Sequence, residues 1–227
     1  MLEPALTTPI LPARRAASRL LSAFTLALVV GCGGASVSVP PVLPVPLVEK
    51  IPLTMGYHLS DELLGYVHEE SLEDSGDWTI AFGSAQTTMF DNLLNGMFEA
   101  AVPVAGPEAA GPDVDGVLVP NIEEVQFSTP EQTRSDYFEV WVRYRMRLHG
   151  RDGALVGEWP LTAYGKANAR NYGMNSREPA LQAAALAAMR DAMAFFTVQF
   201  RTVPPVQTWL QAELAAPAAA PTGGASP

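Results

Sequence analysis

The stretch from Asp136 to Gly150, "DYFEVWVRYRMRLHG", constrains the fold more than any other part of the chain. Phe138, Val140, Val142, Tyr144, Met146 and Leu148 alternate with Tyr137, Glu139, Trp141, Arg143, Arg145 and Arg147. Successive strand side chains point to opposite faces, so the pattern predicts a long antiparallel strand with one buried face and one facing water. Turn residues follow in "HGRDG", His149 to Gly153, and the hairpin partner is "ALVGEWPLTAYGKA". Pro160 within that partner places it at a sheet edge or at a bulge.

Two helices are legible beside this hairpin. From Ala85, apolar residues recur at Met89, Phe90, Leu93, Leu94, Met97, Phe98 and Ala101, the spacing of one helix face, with Ser84 placed as N-cap. The second helix is "ALQAAALAAMRDAMAFFTVQF", entered through Pro179 and ended by Pro204 and Pro205. It sets Leu181, Ala185, Ala188, Met189, Ala192, Phe196 and Phe200 along one side. "VQTWLQAEL" adds a short final helix. Further strands are expected at Ile51–Leu59, Trp78–Phe82, "AVPV" and "DGVLVP", the last continuing through Asn121–Ser128. Ser60 and "DELLGYV" read as a turn or short helix, and Glu69–Asp77 as an acidic loop. The fold class is therefore α+β: a single domain with an antiparallel sheet of four to five strands and two amphipathic helices packed on one face.

The N-terminus has a different character. Arg14, Arg15 and Arg19 precede an apolar run, Leu20 to Val30, about as long as a signal-peptide core. Nothing after residue 31 reaches the roughly 18 consecutive apolar residues of a membrane span, so the mature part is expected to be soluble. The run ends in Val29-Val30-Gly31-Cys32, and Cys32 is the only cysteine among 227 residues. That tetrapeptide resembles the bacterial lipobox, departing from its usual form only in carrying Val29 where leucine is commonest. The resemblance implies cleavage before Cys32, a diacylglyceryl thioether on its sulfur and an acylated amino group. Several acyl chains make a stable anchor where a single myristoyl chain is marginal. Gly33 stands where an aspartate would, by resemblance to enterobacterial lipoproteins, favour inner-membrane retention. The implied destination is the outer membrane, with the domain facing the periplasm.

These features divide the chain into a lipoprotein signal peptide (1–31), a proline-rich tether (32–50), an α+β domain (51–214) and a disordered tail (215–227). The prolines of "GGASVSVPPVLPVPLVEK" favour extended polyproline II geometry, and the tail "AAPAAAPTGGASP" lacks large apolar residues.

Charge narrows the partners. Without the first 31 residues, 11 basic and 23 acidic residues remain, a net charge near −12 that excludes a general nucleic-acid binder. From Glu49 to Glu139 there are 18 acidic and 2 basic residues, against 4 acidic and 9 basic from Arg143 to Arg201. The two halves can attract each other, or the basic half can face an anionic partner.

Catalytic patterns are sparse. The mature chain has no nucleophile elbow of alternating glycine, serine and glycine, and no glycine-rich phosphate loop followed by lysine. His58, His68 and His149 are too scattered for a zinc site, and the acidic run Glu69, Glu70, Glu73, Asp74 and Asp77 lacks the ligand pattern of a calcium loop. The chain is not expected to be an enzyme or to need a metal or cofactor beyond the lipid on Cys32.

The candidate binding residues are Arg143, Arg145, Arg147 and Trp141, which alternation places on one sheet face with Tyr137; Arg151, Lys166 and Arg170 extend the patch. Guanidinium groups suit phosphate and carboxylate, so a lipid headgroup, a glycan phosphate or an acidic protein surface would fit. Equally, these arginines can pair with the acidic half of the same domain.

Taken with "IPLTMGYHLSDEL" and "YRMRLHGRDGALVGEW", the order of lipobox, tether, strand, helix, central hairpin and alanine-rich helix resembles small proteobacterial envelope lipoproteins. The groups are the YajG-like lipoproteins, the auxiliary lipoproteins of ABC-type lipid transport and, more distantly, the lipopolysaccharide-assembly lipoprotein. This implies a non-catalytic, membrane-tethered accessory or scaffolding protein with an envelope protein partner. The alternative is a direct carrier of lipid or lipopolysaccharide.

Overall fold

A computed structural model describes residues 34–73 and 75–215. In chain order the elements are β1 (Ser36–Ser38), β2 (Ile51–Tyr57), α1 (Asp61–Leu64), β3 (Val67–Leu72), β4 (Gly76–Ala81), α2 (Gly83–Met97), β5 (Phe98–Pro103), β6 (Gly116–Ser128), α3 (Pro130–Thr133), β7 (Tyr137–Gly150), β8 (Leu155–Asn168), α4 (Arg177–Gln199) and α5 (Pro204–Ala215). Cys32 and the tail beyond Ala215 lie outside the described residues.

The long alternating run forms β7, paired antiparallel with β6 on one side and β8 on the other. Its even-numbered apolar residues, Phe138 to Leu148, are all buried. The strand order is β5-β2-β6-β7-β8, so β8 is an edge and Pro160 costs no ladder bond on its free side.

The antiparallel-only sheet with two helices needs correction. β2 runs parallel to both β5 and β6, and a second, three-stranded sheet has the order β1-β4-β3, with β1 parallel to β4. Parallel pairing needs a long crossover, which the segment from α1 through α2 supplies between β2 and β5. The acidic stretch Glu69–Asp77 is a β3–β4 hairpin rather than a loop, with Glu69 opposite Thr79 and Glu70 opposite Trp78. α2 stops at Met97, and Phe98 opens a strand; its N-cap is Phe82 rather than Ser84.

α2 and α4 cover one face of the large sheet. α4 crosses β7 and β8, where Gly165 of β8 meets helix backbone: a Cβ there would overlap the carbonyl oxygen of Ala184 and the nitrogen of Ala188. Small residues on both sides thus bring helix and sheet into backbone contact. Between the layers, Phe90 meets Tyr144 edge-on at 6.0 Å, and Phe98 meets Phe200 at 5.4 Å. The buried Tyr144 hydroxyl is paired with the Gln86 side-chain amide at 3.1 Å. At the end of the core, Trp78 of the small sheet packs on Phe127 and Phe138.

Arg177–Thr202 is, by length and a mean hydropathy of 1.2, apolar enough to cross a membrane. Alanine accounts for much of that hydropathy, and the helical run lies packed across the sheet.

The tether expectation is corrected within residues 34–50. Ala35, Val37, Val39 and Leu43 are buried, and β1 joins the small sheet through Thr79 N–H to Ala35 O and Val39 N–H to Ala81 O. Beyond β1 the chain lies outside the helix layer, along α2 and α4. Proline lacks an N–H, so beyond the turn closed by Val42 N–H to Pro40 O most carbonyls here are left to side-chain donors. Gln182 donates to Ser38 O at 2.7 Å, Arg190 to Val42 O at 3.1 Å, Asn92 to Leu43 O at 2.8 Å and Arg201 to Glu49 O at 2.9 Å. Gly96 of α2 accommodates Pro46; a Cβ at Gly96 would sit 2.8 Å from the Pro46 carbonyl oxygen. The segment is a strap following α4 from its first turns to its end.

Candidate functional site

With the even-numbered residues of β7 committed to the core, its odd-numbered residues face outward between β6 and β8. Arg143, Arg145, Arg147 and Trp141 do share this half-exposed face. A bulge in β6 then decides the electrostatics. The register runs Ile122 opposite Tyr144 and Glu124 opposite Arg143, with Glu123 as the extra residue. Bulges re-aim side chains, and this one lets adjacent glutamates reach the same face.

Each arginine consequently meets a carboxylate. Arg143 pairs with Glu124, and its Nε lies 3.4 Å from Glu123. Arg145 pairs with Glu123 and reaches Glu158 of β8 at 2.7 Å, while Arg147 reaches the other Glu158 oxygen at 2.9 Å. Hydrogen bonds donated to Glu123 and then to Glu158 raise the Arg145 pKa; those accepted from Arg145 and then Arg147 lower that of Glu158. A carboxylate with a depressed folded-state pKa contributes stability that is present above its unfolded value and lost as pH falls through the folded one. We predict that carbon-detected NMR titration finds Glu158 titrating below the ordinary glutamate range, and that Arg147→Ala moves it upward. A Glu158 titration unchanged by that substitution would contradict the pairing.

Beside the ion pairs lies an aromatic group. The Trp141 and Tyr164 rings are 5.1 Å apart, and Lys166 Nζ sits 5.1 Å above the Tyr137 ring. The Tyr164 hydroxyl donates to Glu139 at 2.6 Å, and Ser128 donates to the other Glu139 oxygen at 3.2 Å. A shallow groove of about 210 Å³ is lined by Glu124, Gln126, Trp141, Arg143 and Thr162. The face thus combines a compensated ion-pair lattice with an aromatic shelf. Sequence reasoning found the arginines and Trp141 but not Glu123, Glu124 or Glu158 as their partners.

Burial, reinforced by the Glu139 bond, pushes the Tyr164 pKa up to about 12; burial and the bond to Asp91 take Tyr57 to about 12. Burial raises Tyr144 as well. A raised folded-state value favours the neutral form in the native state, so this stability is full below pH 10 and lost as pH climbs from about 10 towards 12. Absorbance titration is expected to show these phenols ionising late and together with alkaline unfolding. Their ionisation near pH 10 in a folded protein would contradict these environments.

Of the other candidates, Arg151 turns to Asp115 and to Glu213 of α5, and Arg170 pairs with Asp136 at 2.9 Å. The histidines are held separately: His58 at Val104 O, His68 at Glu70 and His149 at Gly153 O. Among the described residues, no three His, Cys, Asp or Glu side chains gather in a way that could hold a metal ion.

No family model matches the sequence, and a comparison with curated proteins finds no match. Among solved structures, a Xanthomonas campestris protein of family DUF330 is similar at 11% identity and a TM-score of 0.42, over 75% of this chain and 97% of that one. A minor lipoprotein from Acinetobacter baumannii is similar at 14% identity and a TM-score of 0.41, over 68% of this chain and 92% of that one. Both are distant likenesses.

Proposed function

We propose that the chain is a lipid-anchored, non-catalytic lipoprotein of the bacterial envelope that scaffolds a protein complex, of the outer membrane or of lipid transport, through the outward face of β6, β7 and β8. One observation carries the reading: Trp141, Tyr164 and three arginines stand on the outward face of two 14-residue strands. Tryptophan, tyrosine and arginine dominate binding energy at protein interfaces, and a rigid sheet presents them with little ordering cost. The pre-paired charges select a partner with a matching pattern and disfavour a uniformly charged one. A carrier of lipid or lipopolysaccharide would need room for acyl chains. Here the space between sheet and helices is filled by Phe90, Phe98, Phe138, Tyr144, Phe196 and Phe200, which favours the scaffold.

A photo-crosslinking residue placed at Thr162, in cells, tests this. One specific envelope protein should be captured, and Trp141→Ala should reduce capture by tenfold or more, as expected of a hot spot worth about 2 kcal/mol. Capture of bulk lipoproteins only would overturn the scaffold. The anchor is tested separately by alkyne fatty-acid labelling of wild type and Cys32→Ala. An unlabelled wild type would overturn the anchor.

A further inference from the structure

The strap and α4 together build a second surface, on the side of the domain opposite the β6–β8 face. From Pro40 to Val48 the strap carries no charged or polar side chain. Among the described residues ten large apolar side chains are exposed, and five of them are here: Val42, Val45, Leu47 and Val48 on the strap and Val198 on α4. Such concentration marks a continuous patch rather than scattered surface residues. The strap and helix parts meet, since Val48 and Val198 line one groove with Met97. Leu47 is 98% exposed and Val198 71%, so neither side chain is accounted for by the domain's own packing.

We infer that this patch docks on the lipid bilayer, holding the domain flat against the membrane with the β6–β8 face turned away from it. The inference rests on the reading of Cys32 as the acylated residue. Four features select a bilayer as the occupant. The strap directly follows the anchor: only Gly33 separates Cys32 from the described chain, and β1 is already fixed in the small sheet at Ser36. The acyl chains therefore enter the membrane beside the domain, not at the end of a long spacer. The patch extends along the helix, from Arg190 bonded to Val42 O to Val198 beside Val48, a rise of about 12 Å with the strap alongside. It is edged by Arg190 and Arg201, whose guanidinium groups bond strap carbonyls, with Glu49 beside Arg201 in the groove; the two arginines are the groups that anionic headgroups would meet. Finally, it leaves the protein-binding face free, so both surfaces can be occupied at once. Apolar area plus basic residues at the headgroup level is the general form of an interfacial membrane contact.

The test uses the acylated full-length protein in vesicles of phosphatidylethanolamine and phosphatidylglycerol, with an environment-sensitive fluorophore on a cysteine introduced at Leu47, Val198 or, as the opposite-face control, Thr162. Labels at 47 and 198 should be blue-shifted and quenched by spin-labelled lipid, and the label at 162 should not. In the unacylated Cys32→Ala protein, Leu47→Glu with Val198→Glu should weaken vesicle binding about tenfold or more, while circular dichroism confirms the fold. Labels at 47 and 198 that stay in water on acylated, vesicle-bound protein would overturn the inference. So would shielding that follows protein density in the bilayer, which would assign the patch to a second copy, or shielding seen only with envelope extract, which would assign it to a protein. If mass spectrometry finds no lipid on Cys32, the anchor reading has failed by itself. Quenching at saturating lipid then still decides the docking: present, the patch binds bilayers; absent, it does not.

Discussion

Replacing residues 34 to 49 with a glycine–serine linker of equal length is expected to lower unfolding free energy by about 5 kcal/mol, from the loss of buried Val37, Val39 and Leu43 alone at roughly 1.5–3 kcal/mol each. The loss of β1 pairing with β4, and of the bonds from Gln182, Asn92, Arg190 and Arg201, adds to it. A true tether would contribute almost nothing, so urea denaturation separates the two cases cleanly. The denaturant slope should fall as well, because less surface remains to be exposed. A finer version is Gly96→Val, which pushes against Pro46 without touching β1. It should release the middle of the strap while leaving the small sheet paired, visible as faster amide exchange at Val42, whose N–H bonds Pro40 O, with Val39, bonded to Ala81 O, still protected. Unchanged stability in the linker variant would remove the strap from the fold's energetics.

The second large effect is at Gly165. Substitution by valine forces α4 away from β8 and is expected to cost at least about 3 kcal/mol, the upper part of the overpacking range, because the added atoms meet helix backbone rather than movable side chains. Gly165→Ala should already be clearly destabilising. Trimming Ala184 or Ala188 to glycine should not rescue either variant, since the overlapping atoms are the Ala184 carbonyl oxygen and the Ala188 nitrogen. Rescue by those substitutions would show that side-chain volume, not backbone approach, sets the distance.

How far the structure could be read beforehand depended on the range of the physical signal. The alternation in β7 and the apolar spacing in α4 are local patterns, and their buried residues are the ones those patterns imply. The parallel pairing of β2 was not legible, because pairing partners 45 and more residues apart leave no periodicity in either strand. The strap differs for a specific reason. Prolines imply an extended spacer, but a segment short of its own N–H donors also leaves carbonyls open to donors on a helix. "ASVSV" just before the prolines does carry the alternation of a strand, which is the signal that was available.

At the candidate site the arginine stripe followed from alternation, but its glutamates did not. A strict period of two puts Glu123 and Glu124 on opposite faces, and only the bulge brings both to Arg143. Glu158 needed the β7–β8 register, in which it stands opposite Arg147. A hairpin read without its bulges therefore found the cations and left their counter-charges unassigned.

The strap also sets an order of events. Its side-chain donors on α4 are 144 and 148 residues away in sequence, and Arg201 is 152 away from Glu49. Contacts of such separation close late, and a chain emerging amino-terminus first at roughly 5–20 residues per second delivers α4 on the order of ten seconds after the strap. For that interval the strap has α2 but not α4 to dock on. The domain locks only when its last long helix arrives, so the strap's contacts to α4 are the last of its contacts to form.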